Sequence, residues 1–275
     1  MRITRFRALA LSLVASSLLV SGCASRGGGK DLPYVARDVN TLYAAAKDRL
    51  DRRDYKIAAA LFDEVERQHP YSIWARRAQI MGAFSYYLAQ DYTQAIQGAQ
   101  RFLSVHPGNR DAPYAYYLIA MSYYEQISDV TRDQKITQQA LDALGELSRR
   151  YPNTRYAADA RLKVDLVRDH LAGKEMEIGR FYEVRRQWLA ATMRFRTVVE
   201  QYQTTTHTPE ALMRLTESYL ALGLRDEARK SAAVLGANYP GTDWYARAYK
   251  LVEANPPVPV PDKPAEAKPL NPVKS

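Results

Sequence analysis

The 275 residues include 39 lysines and arginines against 30 acids, a formal charge of +9, with 47% hydrophobic and 25% charged side chains. This composition excludes a disordered chain and a many-spanning membrane protein, and it holds no basic run of the nucleic-acid-binding kind. One cysteine excludes a disulfide framework, a four-thiolate zinc site and an iron–sulfur cluster; four scattered histidines argue against a histidine metal site, and nothing calls for a cofactor.

The chain opens as an export signal. Arg2, Arg5 and Arg7 form a positive start without acids, and Ala8 to Val20 follow as small or apolar residues. That run is too short to span a bilayer, which takes about 20 residues. Leu19-Val20-Ser21-Gly22-Cys23 then places small residues directly before the single thiol. The segment resembles the lipobox of bacterial lipoproteins, which implies removal of residues 1–22 and acylation of Cys23; an ordinary signal peptide with a spare cysteine is the alternative. Several acyl chains give stable anchoring where one is marginal. Ala24 follows in place of the aspartate that retains enteric-type lipoproteins in the inner membrane, which implies the outer membrane. Residues 23–31, with Gly27-Gly28-Gly29, form a flexible tether.

Beyond the tether the chain repeats. His69-Pro70, His106-Pro107, Tyr151-Pro152 and Tyr239-Pro240 each close an amphipathic run. If Gln203 occupies a fifth proline position, the intervals are 37, 45, 51 and 37 residues, one period with insertions of 8 and 14. Twelve residues before each position stand Ala58, Ala95, Ala140, Ala191 and Ala228, and four further on Phe62, Ala99, Leu144, Phe195 and Ala232. The partner helices carry Ala46, Ala83, Ala120, Gly179 and Thr216 at their close-packing position, followed after three residues by Arg49, Tyr86, Tyr123, Tyr182 and Tyr219. Small residues where paired helices cross define a tetratricopeptide array, so the expected fold is all-α: an α-solenoid, wound as a right-handed superhelix, of five repeats.

The 8 extra residues fall between Tyr124 and Ala140, a polar stretch read as an edge loop. The 14 before Gly179 carry Ala160, Val164, Val167 and Leu171 at helical spacing and predict about four added turns on the first helix of repeat 4. The domain is therefore expected in two parts, repeats 1–3 over 32–155 and the long helix with repeats 4–5 over 156–254. Tyr245 to Ala254 predicts a capping helix. Seven of the last 21 residues, 255–275, are proline, which predicts a disordered, extended tail.

Phosphate-loop, nucleophile-elbow and metalloprotease motifs are absent, and no catalytic constellation emerges. A binding groove is the better candidate. In this repeat, positions 2, 5, 9, 12 and 13 of the first helices line the concave wall. Tyr43, Phe84, Tyr87, Tyr114, Tyr117 and Tyr124 place six rings there from repeats 1–3, while repeats 4–5 place none. That asymmetry suggests an extended apolar or aromatic peptide, with Lys47 and Arg77 available for a carboxylate, because tyrosine offers a rigid apolar face with a polar tip. Alternatively the rings pack on one another across a tightly curled superhelix. In the second half, Arg185, Arg186, Trp188, Arg194 and Arg196 combine arginine with an aromatic as docking surfaces do, though such arginines also form ordinary solvated faces.

A lipobox, five repeats with the long insertion after the third, Leu42-Tyr43-Ala44-Ala45-Ala46, Phe181-Tyr182 and Tyr151-Pro152-Asn153-Thr154-Arg155-Tyr156 together resemble the BamD family. These are the lipoproteins of the outer-membrane β-barrel assembly machinery. The resemblance covers 32–254 and not the tail. It implies a non-enzymatic protein on the periplasmic face of a Gram-negative outer membrane, with partners among unfolded barrel precursors, the central barrel subunit and other assembly lipoproteins. It implies that the amino-terminal repeats recognise aromatic-ended carboxy-terminal signals and that the carboxy-terminal repeats dock on the barrel subunit's periplasmic domains. Arg194 matches the family's docking arginine; Arg185 and Arg196 stand beside it. A repeat lipoprotein of pilus secretin assembly or cell division is the alternative, and an enzyme on a repeat scaffold a third reading, for which no span remains.

Overall fold

The computed structural model describes residues 37–256. The chain divides into two units, Met1–Asp38 and Val39–Ser275, and every described helix lies in the second. The signal segment, Cys23, the tether and residues 257–275 lie outside the described residues. Those described form eleven helices and no strand: α1 Val39–Asp51, α2 Tyr55–Gln68, α3 Ile73–Leu88, α4 Tyr92–Val105, α5 Ala112–Tyr124, α6 Lys135–Arg150, α7 Arg155–Val184, α8 Trp188–Gln201, α9 Thr208–Ala221, α10 Arg225–Asn238 and α11 Asp243–Glu253. Each helix packs on its neighbours in sequence, and α1, α3, α5 and α7 touch in succession along the array. This is the expected tetratricopeptide solenoid, five helix pairs closed by α11 on α9 and α10.

The register rests on the small residues. Ala58, Ala95, Ala140, Ala191 and Ala228 are all fully buried, as are Ala46, Ala120 and Thr216 opposite them. Of the four tyrosines three residues beyond the close-packing positions, Tyr219 is buried and Tyr86, Tyr123 and Tyr182 are half-buried, and the Tyr86 hydroxyl donates to Asp63 on α2. The helix-closing residues share one conformation. His69, His106, Tyr151 and Tyr239 have φ of −134°, −129°, −132° and −137°, and Tyr202, with no proline after it, has −127°. Thr205 Oγ1 donates to the Tyr202 carbonyl at 2.8 Å, as Thr154 does to Tyr151 and Thr242 to Tyr239 at 2.9 Å. Gln203 therefore holds the proline position without a proline.

Both insertions appear where the spacing put them. The first is the segment 125–134, and it is more than an edge loop. Lys174 Nζ of α7 donates to the Thr131 carbonyl at 2.9 Å, and Val130 packs over Gly173. The second makes α7 a helix of 30 residues, ~45 Å long at 1.5 Å per residue. Thr154 caps it, its Oγ1 accepting the Ala157 N–H at 3.2 Å. The capping helix begins at Asp243, two residues before the expected Tyr245, because Thr242 accepts the Tyr245 N–H.

Gly179 carries the tightest crossing: a methyl group there would overlap the Phe195 ring, itself fully buried. Gly179→Ala is expected to lower stability by about 1–3 kcal/mol in urea denaturation, with partial recovery on adding Phe195→Leu. Gly145, on α6 with open space at its Cβ position, is the control: Gly145→Ala should leave stability equal or raise it by up to about 1 kcal/mol.

Candidate functional site

The six concave rings of repeats 1–3 are all half-buried, and most of their ring contacts are with aromatic residues outside the six. Tyr43 stacks on Trp74 at 4.6 Å between ring centroids and meets Phe62 at 5.4 Å. Arg77 lies over the same Trp74 at 5.2 Å and has no salt bridge among the described residues, so it remains the cation expected there. Lys47 is engaged, with its ammonium 2.8 Å from Asp51 one turn on. The expectation of a free Lys47 is corrected by that i,i+4 spacing, although a pair this exposed is worth little.

Farther along the wall Phe84 meets Tyr114 at 6.2 Å, and Tyr114 and Tyr117 close on Tyr156 at 5.4 and 5.2 Å. Tyr156 opens α7 and belongs to no groove position of the five repeats. With it come Asp159 and Lys163, at helical spacings of three and seven on one face. Tyr117 Oη donates to Asp159 at 2.8 Å, Lys163 Nζ donates to the same carboxylate at 3.0 Å, and Lys163 lies 5.5 Å from the Tyr124 ring. Tyr87 reaches Glu125 at 3.3 Å and Tyr92 at 5.9 Å. The first turns of the long helix thus complete the aromatic wall, a role the spacing Tyr156, Asp159, Lys163 could have disclosed.

Burial pushes the phenols up. Tyr87 rises to about 12, burial first and Glu125 second. Tyr114 is raised by burial and by its neighbouring tyrosines, and Tyr117 by burial and the bond to Asp159. Burial also pushes Asp159 upward, but the bonds from Lys163 and Tyr117 outweigh it and hold the carboxylate below its usual range. At neutral pH the wall therefore presents uncharged rings, with the Tyr87 and Tyr117 hydroxyls donated to Glu125 and Asp159. Such a surface suits a chain with aromatic side chains.

Repeats 4–5 present charge instead of rings. Arg180 Nη1 of α7 donates to both oxygens of Glu210 on α9 at 3.0 Å, Arg214 Nε donates to Glu210 at 2.7 Å, and Arg214 also pairs with Glu183. Glu183 is only 8% exposed, and burial raises its pKa against the pull of Arg214. Glu210 is held low by Arg214 and Arg180 in spite of burial. Arg214 is absent from the concave positions read from sequence; its pairing with Glu210 has the i,i+4 spacing of one helix, but Glu183 becomes a partner only once α7 and α9 are adjacent.

The three arginines expected to dock do not share one face. Arg185 stacks on Phe181, its guanidinium carbon 3.5 Å from the ring centroid. Arg194 turns to Glu175 on α7 at 3.1 Å, whereas Arg196 turns to the Tyr219 hydroxyl on α9 at 2.8 Å. Two residues apart on a helix, they diverge by about 200°. Among the described residues no cluster is placed to hold a metal, and no helix is long and apolar enough to cross a membrane.

A solenoid with a half-wet aromatic wall in one half and a buried charge network in the other is a binding scaffold. Residues 35–235 match the model of the outer membrane lipoprotein family YfiO. The chain is 53% identical over 247 residues to the outer membrane protein assembly factor BamD of Caulobacter vibrioides, covering 90% of this chain and 80% of that one. It is 46% identical over 242 residues to BamD of Rickettsia prowazekii, covering 88% and 95%. Among solved structures, a thermophilic tetratricopeptide protein of Thermus thermophilus is similar at 19% identity and a TM-score of 0.36, covering 78% of this chain and all of that one. The chain belongs to the outer membrane lipoprotein family that includes the BamD assembly factors, proteins of the Gram-negative outer membrane.

Arg214→Met, which strands the buried Glu183 while Arg180 still holds Glu210, is expected to cost about 3–5 kcal/mol in urea denaturation. Glu183→Gln, which removes a charge that burial already opposes, should cost far less. Equal losses would contradict this reading of the network.

Proposed function

We propose that this assembly factor, anchored through an acylated Cys23, holds unfolded outer-membrane protein precursors on its aromatic wall and passes them to the barrel subunit on which it docks. The observation that carries this reading is the wall itself: Tyr43, Phe84, Tyr87, Tyr114, Tyr117 and Tyr124 half-buried in one row, with Arg77 unpaired by any acid at one end. An extended chain ending in an aromatic residue finds ring faces for its side chains and a guanidinium for its terminal carboxylate. Nothing in this work is chemical; the scaffold binds and releases without catalysis.

Docking on the periplasmic domains of the barrel subunit falls to repeats 4–5. Arg185, Arg194 and Arg196 act there from separate faces, with Arg185 held over exposed Phe181 beside exposed Val184, Leu189 and Met193. Arginine over an exposed aromatic amid apolar side chains is the composition of an interface core. Other assembly lipoproteins are further partners of this scaffold.

Tyr87→Ala combined with Tyr117→Ala is expected to weaken binding of a peptide with an aromatic carboxy-terminal residue by at least about tenfold, each ring contributing on the order of 1 kcal/mol beyond its area. Fluorescence anisotropy against the full-length protein in detergent measures it, with circular dichroism as the check on helicity. Unchanged affinity with helicity intact would sink the peptide reading.

A further inference from the structure

The long helix leaves a surface without a partner. α8 covers the later turns of α7, where Ala172, Met176 and Gly179 meet Ala191, Phe195 and Val198, and Tyr202 at its end packs on the cluster that holds Val167 and Leu171. Asp169 marks where that cover ends: its Oδ1 accepts the N–H and hydroxyl of Thr206 at 2.9 and 2.7 Å and ties down the turn after α8. Residues 155–168 lie beyond it. They pack inward through Ala160, Val164 and Val167 on Ala120, Leu144 and Leu147 of α5 and α6. Tyr156, Asp159 and Lys163 take the flank that joins the aromatic wall.

What remains is the outer face, where a regular repeat would seat its second helix. Leu162 and Leu166, one turn apart, are 69% and 60% exposed there. Beside them runs an open groove of about 550 Å³ between α6 and α7, lined by Asp142 and Arg149 from α6 and Arg161, Asp165 and Arg168 from α7. Arg149 and Arg168 have no salt bridge among the described residues, and Arg161 donates only to the Pro152 carbonyl at 3.2 Å. The groove floor is Leu141, Gly145 and Val164, with no side chain at Gly145 to fill it. An i,i+4 leucine pair matches the apolar stripe of an amphipathic helix. Three arginines, none in a salt bridge among the described residues, outnumber the two acids of the groove, Asp142 and Asp165, and match carboxylates.

We propose that the first four turns of α7 dock an amphipathic helix of a partner protein, its apolar stripe on Leu162 and Leu166 and its acidic side chains on Arg149, Arg161 and Arg168. The partner helix takes the place of the second helix that the insertion leaves out. Leu166 adjoins Tyr124 of the aromatic wall across a second groove, but Arg149, Arg161 and Arg168 belong neither to the wall nor to the set Arg185, Arg194 and Arg196, so their charge reversals test this surface apart from the function proposed above.

The experiment uses the full-length protein in its own envelope, with photocrosslinking benzoylphenylalanine placed at Leu162 or Leu166, and at Tyr71, which is fully exposed elsewhere, as control. Mass spectrometry of the adduct identifies the crosslinked segment. Expected is one segment of another protein, amphipathic in helical register and acid-rich on its flank, captured from Leu162 and Leu166 but not from Tyr71. Arg161→Glu with Arg168→Glu should reduce the adduct at least about tenfold, and Arg149→Glu on the other helix should do so independently, with the thermal midpoint unchanged in at least one of the two variants. No adduct, an adduct with lipid or with a second copy of this chain, equal capture from Tyr71, or capture undiminished by the charge reversals would overturn the proposal.

Discussion

Paired helices in this chain approach closely because one side chain at each crossing is nearly or wholly absent. Ala46 against the Ala58 helix, Ala120 against the Ala140 helix and Gly179 against Phe195 leave room for backbones to come together, and they repeat at one register through five pairs. That constraint fixes the rotation of every first helix about its own axis. Rotation in turn decides which side chains reach the concave wall, so the row of rings from Tyr43 to Tyr124 follows from alanines that never touch it.

The insertion into repeat 4 turns a regular array into one with two kinds of surface. By running past its own partner α8, α7 serves as the last first-helix of the amino-terminal half and the initial one of the carboxy-terminal half. Its opening turns supply Tyr156, Asp159 and Lys163 to the aromatic wall, and its final turns supply Arg180 and Glu183 to the ion network. Lys174 and Gly173, midway, brace the loop of repeat 3 through Thr131 and Val130. One continuous helix therefore joins the aromatic wall to the charged half.

Much of this was legible in the residues. The alanine register, the Tyr-Pro and His-Pro closures and the two insertions foretold the helices closely, because each depends on short-range sterics that leave a fixed spacing. The silent position was also readable: Tyr202 closes its helix as the proline-followed residues do, with Thr205 in the place of Thr154. What stayed hidden depends on distances between elements. Tyr156 lies outside the five ring positions of the spacing because the insertion reads as added turns of repeat 4, the half without rings, and nothing local shows those turns lying against α5. Arg214 is hidden because Glu183 sits on a different helix, although Glu210 stands one turn away on its own. Lys47 was read as free although Asp51 stands one turn away, and Arg194 and Arg196 were grouped by closeness in sequence although a helix turns them apart.

The central claim is that the wall of repeats 1–3 extends into the start of α7 and forms one peptide-binding surface. Backbone hydrogen exchange of the full-length protein, with and without a peptide ending in an aromatic residue, tests it most directly. The account predicts slowed exchange in α3, α5 and residues 155–163 together, with α9 to α11 unchanged. Protection confined to the carboxy-terminal helices, or protection of α3 and α5 that leaves 155–163 unaffected, would contradict it.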